Sequence, residues 1–369
     1  MVLCIPTIEV DAMDEIDSDY YNDFDYGQIQ SVIDDLFPTQ EKIDFGEYVK
    51  GLVTGQKDVS LESIMKDFKS TIVTQFKNEI GTMIPLLSVA IIAGIFTIFT
   101  NVFNNNQVSE ISFYITYILL FTLITSSFLT IANLASDTLS KLLDFMKVLA
   151  PTYFLSIAYS SGSRTSMVFY EATLIIITIV DFLLIKVAVP CINIYLILVL
   201  VNNISKEDYL SKFTDLIETG VKWALKTLLS AVLGYNVIQG MIVPALDSVK
   251  KSFLLRASAS LPGIGNALEG VTKTIYGTGV LVKNAIGVVG LIVILVIVLV
   301  PLIKLAVYAI VYKVGTALIQ PISDKRILNS MNGVSEAAVL LLYTVFIGAV
   351  LFFITIAIIT TSTNYGLGG

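Results

Sequence analysis

The 369-residue sequence has no histidine, two cysteines, one tryptophan and few charges. The missing histidines remove the commonest general base, the commonest metal ligand and every histidine-dependent triad. Cys4 and Cys191 lie in unlike contexts, one near the N-terminus and one within an apolar run. A disulfide between them is not expected, and two thiolates do not complete a tetrahedral zinc site. No Gly-x-x-x-x-Gly-Lys-Ser/Thr phosphate loop occurs, so any ATP energy has to come from a partner. These gaps point away from an enzyme and away from a cofactor or metal. Charged residues make up only 14% of the chain, against about a quarter in soluble domains. The net charge of −7 is concentrated near the N-terminus, which argues against nucleic acid as a partner.

Apolar residues dominate what is present: 55% of the chain is hydrophobic and the mean hydropathy is +0.81. The expected fold is all-α: a polytopic membrane protein with about six to eight transmembrane or re-entrant helices. Residues 1–80 read as an acidic, partly helical extramembrane region and residues 81–369 as a multi-pass membrane domain. From Asp11 to Glu47 the only basic residue is Lys42. Asp17, Asp19, Asp23 and Asp25 resemble parts of calcium loops without the full ligand pattern, and a solvated acidic tail is the better reading. Met1 to Pro6 is too short for a secretory signal and is read as the remaining tail of one. Within the acidic region Ile29, Val32, Ile33 and Leu36 trace a helical stripe, and Phe45 to Leu52 forms a second short amphipathic element. A helix over Ser60 to Ile80 carries an apolar face and lysines, suited either to the membrane surface or to docking on a partner.

Spanning helices are expected at Met83 to Phe103, Ile111 to Leu134, Leu142 to Tyr159, Ala285 to Tyr312 and Ala337 to Thr360, with Gly220 to Val243 as a further candidate. In the third, Asp144 and Lys147 are three residues apart and are placed to neutralise each other on one helix face. Met167 to Val201 would be roughly 50 Å long as a straight helix, beyond a hydrocarbon core of about 30 Å. A bend or break is expected at Pro190, which lacks an N–H and clashes with the preceding turn. Asp181 and Lys186 flank the centre of that run; intramembrane charges mark a polar path, or else they pair structurally. Before the span at Ala285, Ile264, Leu268, Val271 and Ile275 fall at helical spacing. Gly263, Gly265, Gly270, Gly277, Gly279, Gly287 and Gly290 remove bulk and let helix backbones approach, so the stretch before the span reads as a part that packs against or dips into the membrane beside its own spanning helix. Basic residues from Lys250 to Arg256 form a connector into it. Within the long span Pro301 is placed to kink the helix, and Lys304 to snorkel or face other protein. The lysine distribution is divided over orientation: some loops favour a cytoplasmic N-terminus and the basic residues at 250–283 oppose it.

Leu281-Val-Lys-Asn-Ala-Ile-Gly287, the span with Pro301 and Lys304, Gln320-Pro-Ile-Ser-Asp324 and Phe45 to Gly55, in that spacing, resemble the stage III sporulation protein AE family. The resemblance implies a multi-pass component of the transenvelope complex of endospore formers. It implies a place in the mother-cell-derived outer forespore membrane, partners among the other proteins of the stage III complex and a forespore membrane protein, and support of late forespore gene expression. An N-terminal signal sequence, usual in that family, would put the acidic region in the intermembrane space. A homo-oligomer is compatible with this reading. The other functions the residues allow are an autonomous permease for a small solute and a purely structural membrane scaffold.

Overall fold

The computed structural model describes residues 26–36, 44–54, isolated positions between 77 and 95, 106–161, 163–205, 207–258, 265–321 and 323–362. Every element among them is helical. Two short helices, α1 (Gly27–Leu36) and α2 (Phe45–Val53), precede α3 (Asn106–Ser161) and α4 (Ser163–Asp181). A π-helical stretch, Phe182–Ala188, joins α4 to α5 (Val189–Asn202). Then come α6 (Ser211–Ser258), α7 (Gly265–Ile319) and α8 (Lys325–Ser362).

Cross-helix contacts fix the topology. Tyr117 of α3 bonds to Leu200 of α5 and Ser330 of α8 at one end of the bundle. Tyr153 of α3 meets Thr360 of α8 at the other. Ser127 pairs with Tyr308 of α7 in between, and Asn236 of α6 pairs with Thr355 of α8. The helices α3, α6 and α8 therefore run one way, while α7 and the α4–α5 run return the other. The most extensive packing is between α7 and α8, and α3 packs against both.

Four helical stretches are long and apolar enough to cross a membrane: Phe113–Ala158, Tyr170–Asn202, Gly277–Ile319 and Lys325–Thr361. The protein is thus an all-α membrane protein, with fewer such stretches among the described residues than the six to eight expected. One reason is fusion. The second and third expected spans form a single helix, because residues 135–141 contain neither glycine nor proline to interrupt it. Asp137 and Lys141 bridge that junction with an i,i+4 ion pair at 3.0 Å. Pro151 is accommodated inside the same helix. Gly220 to Val243 belongs to α6, whose described residues are not among the four. The span expected at Met83 to Phe103 and the helix at Ser60 to Ile80 fall largely outside the described residues; Ile84, Ile92 and Ile95 are helical and exposed.

Continuity also replaces two expected interruptions. The connector from Pro244 to Arg256 is helical as part of α6. From Gly265 onward the glycine-rich stretch forms the first turns of α7 itself, not a separate segment beside it. At 1.5 Å per residue α3 is about 84 Å long, so it extends well past a hydrocarbon core of about 30 Å or lies steeply tilted across it.

The short N-terminal helices dock on this bundle. Asp44 caps α2 by accepting the Glu47 N–H at 2.8 Å, and the Gln30 side chain accepts the Phe45 N–H at 2.9 Å. Ile29, Ile33, Phe45 and Val49 are buried in the same apolar core as the long helices, with α1 against α3 and α2 against α7. Ile29 and Ile33 of the expected stripe are thus buried, while Asp34 and Asp35 stay exposed.

Candidate functional site

The glycines that set helix spacing lie mainly in α7 and α8. A Cβ on Gly287 would sit 2.5 Å from the Thr360 hydroxyl, on Gly290 2.8 Å from Leu149 Cδ2, and on Gly348 2.7 Å from Leu139 Cδ2. One on Gly333 would collide with the β-branched Val199. Small residues let membrane helices approach this closely. Gly265 and Gly270 lie in the first turns of α7, and Gly263 lies outside the described residues. Sequence periodicity gave no hint of Gly333 or Gly348, since a glycine inside an apolar run has no signature until its neighbour is known.

Inside the bundle, polarity is carried by hydroxyl groups. The Tyr117 hydroxyl reaches the Leu200 carbonyl at 2.7 Å and Ser330 at 2.6 Å. Tyr308 links Ser127 at 2.7 Å to Tyr312 at 3.2 Å. Ser335 donates to the Ala309 carbonyl at 3.0 Å. Among the described residues Lys283 is a fully buried cation; it donates to the Thr360 carbonyl at 3.4 Å. That carbonyl lies in the last turn of α8, where the helix dipole favours a cation.

Other charges gather on the outside of α3 and α4. Asp137 pairs with Lys141 at 3.0 Å, and Lys147 pairs with both Asp144 at 3.5 Å and Asp181 at 3.8 Å. These side chains retain 32–62% exposure, so they form a surface ladder just past the midpoint of the Phe113–Ala158 span. Exposed pairs of this kind add only about 0–1 kcal/mol to stability. Against hydrocarbon, each charge near a helix centre costs roughly 2.5–3.5 kcal/mol. The neighbour of this ladder is therefore water, lipid headgroups or another polar protein surface.

Of the two charges singled out in the sequence, Asp181 belongs to this ladder and Lys186 does not; Lys186 is exposed within the π-helical stretch. The expected Asp144–Lys147 pair forms, and Asp181 joins it through Lys147. Asp137 and Lys141 escaped notice, although their i,i+4 spacing was visible. Pro190 is the second residue of α5, and the run it was expected to break widens instead. Without an N–H, Pro190 cannot bond to Lys186, and the turn before it shifts to i→i−5 bonds such as Val189 N–H to the Leu184 carbonyl. Lys304 is partly buried on α7. Beside it a purely apolar groove of about 410 Å³ runs between α7 and α8, lined by Leu302, Ile303, Val339 and Phe346 among others. Among the described residues no set of three histidine, cysteine, aspartate or glutamate side chains is placed to hold a metal.

A helical bundle with four apolar stretches long enough to cross a membrane and a hydroxyl-lined interior defines a membrane protein. Comparison with known proteins makes this specific: the sequence profile of stage III sporulation protein AE matches residues 43–363, and the chain belongs to that family. It is 22% identical over 350 residues to stage III sporulation protein AE of Bacillus subtilis (strain 168), covering 95% of this chain and 86% of that protein. No solved structure matches.

Proposed function

We propose that this chain is a non-enzymatic membrane subunit of the sporulation transenvelope complex, set in the outer forespore membrane and supporting late forespore gene expression. It works there with the other stage III proteins and a forespore membrane partner. The observation that carries the reading is the ladder Asp137–Lys141–Asp144–Lys147–Asp181, an exposed polar face on helices otherwise suited to lipid. A subunit of a larger assembly has a use for such a face, since a neighbouring protein or an aqueous conduit removes it from hydrocarbon. Family membership supports the sporulation setting.

The test is replacement of Lys147 and Asp181 together by Met and Asn. The variant is expected to reach the membrane in normal amount, yet to lose copurification with the other stage III proteins and late forespore gene expression. Normal copurification and normal spores from this variant would overturn the reading. An autonomous permease is favoured by one observation, the π-helical widening before Pro190, because such irregular turns recur at functional sites. Solute uptake by vesicles holding this protein alone would support it. A scaffold would keep forespore gene expression when the ladder is neutralised, provided that assembly survived.

A further inference from the structure

A second polar site lies inside the bundle, away from the ladder, where α6 passes between α4 and α8. Asn236 and Gln239 of α6 and Thr173 of α4 are 1–3% exposed. The Asn236 amide N–H donates to the Thr355 hydroxyl at 2.9 Å, and that hydroxyl already donates to the Leu351 carbonyl at 2.7 Å. This orients the amide, leaving its oxygen as the free end. The Asn236 and Gln239 amide oxygens and the Tyr235 and Thr173 hydroxyls are all buried without a protein partner. Tyr235 and Thr173 face each other without closing a hydrogen bond.

Helix geometry brings the α6 groups together. At about 100° per residue, Tyr235, Gln239 and Asn236 share an arc of roughly 100°, with Gln239 between the other two. Tyr235 is directed at α4 and Asn236 at α8, so Gln239 points into the seam between them.

Four buried polar atoms left unpaired would each cost about 1–3 kcal/mol. Their chemistry is complementary to one kind of molecule. Two are pure acceptors and two are hydroxyls able to donate. Water, which both donates and accepts, matches both kinds of group. No carboxylate belongs to the set, which disfavours a divalent cation. A monovalent cation would leave both hydroxyl hydrogens without an acceptor.

We propose that the α4–α6–α8 junction is an internal hydration site. Its waters donate to the Asn236 and Gln239 amide oxygens and accept from the Tyr235 and Thr173 hydroxyls. Buried waters commonly make about three such bonds. The seam that holds α6 to the bundle is therefore wet.

Hydroxyl-radical footprinting of the full chain in detergent tests this, because radicals form at bound water and modify the adjacent ring. Tyr235 is expected to be modified readily in the folded wild type. In the variant with Asn236→Leu and Gln239→Leu, Tyr235 modification should fall several-fold while exposed Tyr209 is unchanged. The single variant Thr173→Val, which keeps the side-chain shape, should give a smaller fall and serves if the double variant does not fold. Tyr235 left unmodified in the wild type, or modified equally in wild type and in a folded variant, would overturn the proposal.

Discussion

The α7–α8 pair and the α3–α4 hairpin are both apolar enough to enter a membrane, yet they treat polarity in opposite ways. Between α7, α8 and α3 the helices touch through glycines. The hydroxyls described above on these contacts have partners, and Lys283 is enclosed beside a helix end. On the outer face of α3 and α4, five charged side chains stay open to the surroundings and pair mainly with each other. The first arrangement is what a monomer requires to hold together. The second adds little to holding it together and constrains what lies outside, which is why the functional reading rests on it.

The contrast can be broken most severely at Gly333. Leucine there would drive into Val199, and overpacking of a rigid contact is expected to cost about 3 kcal/mol or more. Thermal unfolding in detergent should show little folded protein. The same measurement on Gly234→Ala, where a Cβ meets nothing within 4 Å, should give an unchanged or slightly raised midpoint. Equal effects at the two positions would remove the distinction between tight and open helix faces. Next in size is Tyr117→Phe, which strips the Tyr117 hydroxyl from the buried Leu200 carbonyl and leaves Ser330 only its bond to the Arg326 carbonyl. A loss of about 1–3 kcal/mol is expected, read as a lower unfolding midpoint.

On the hairpin, Lys147→Met should change stability by less than about 1 kcal/mol while lowering recovery of stage III partners. A large stability loss without an assembly defect would make the ladder a folding element instead. The smallest effect concerns the α5–α6 turn. Asp208 there accepts the Asn202 amide at 2.8 Å and the Ser211 N–H at 3.2 Å. Hydrogen bonds from Asn202 and Ser211 hold its carboxyl below the usual carboxylate range. Because the folded state favours the ionised form, its contribution is full above the ordinary aspartate pKa and fades as pH falls through the depressed value. Asp208→Asn should flatten that acid limb of the unfolding midpoint slightly, and an unaltered limb would discount the role of the turn.

Much of this architecture was legible in the sequence. Hydropathy located the apolar spans, the Ile29 to Leu36 stripe predicted a buried face, and three-residue spacing predicted the Asp144–Lys147 pair. What stayed hidden depends on neighbours distant in the chain. Residues 135–141 look like a polar pause between two spans, but nothing in them stops a helix, and α3 runs through. Proline 190 marks the right place in the α4–α5 run, although a proline alone does not say whether a helix kinks or widens. Gly333 needed Val199 to give it meaning, and Asp181 needed Lys147 from the facing helix. Of the glycines that stood out by composition, 287 and 290 make close contacts, and two more contacts fall at 333 and 348.

The claim that the ladder faces something other than hydrocarbon is tested most directly by thiol accessibility in lipid vesicles. Single cysteines replace Lys141, Asp144 or the exposed apolar Phe353 in a chain whose Cys4 and Cys191 have been replaced. Maleimide reagents need a thiolate, and a thiolate needs water. A hydrophilic maleimide is predicted to label cysteines at 141 and 144 rapidly and the one at 353 very slowly. Labelling at 141 and 144 as slow as at 353 would place the charged face against lipid and contradict the account.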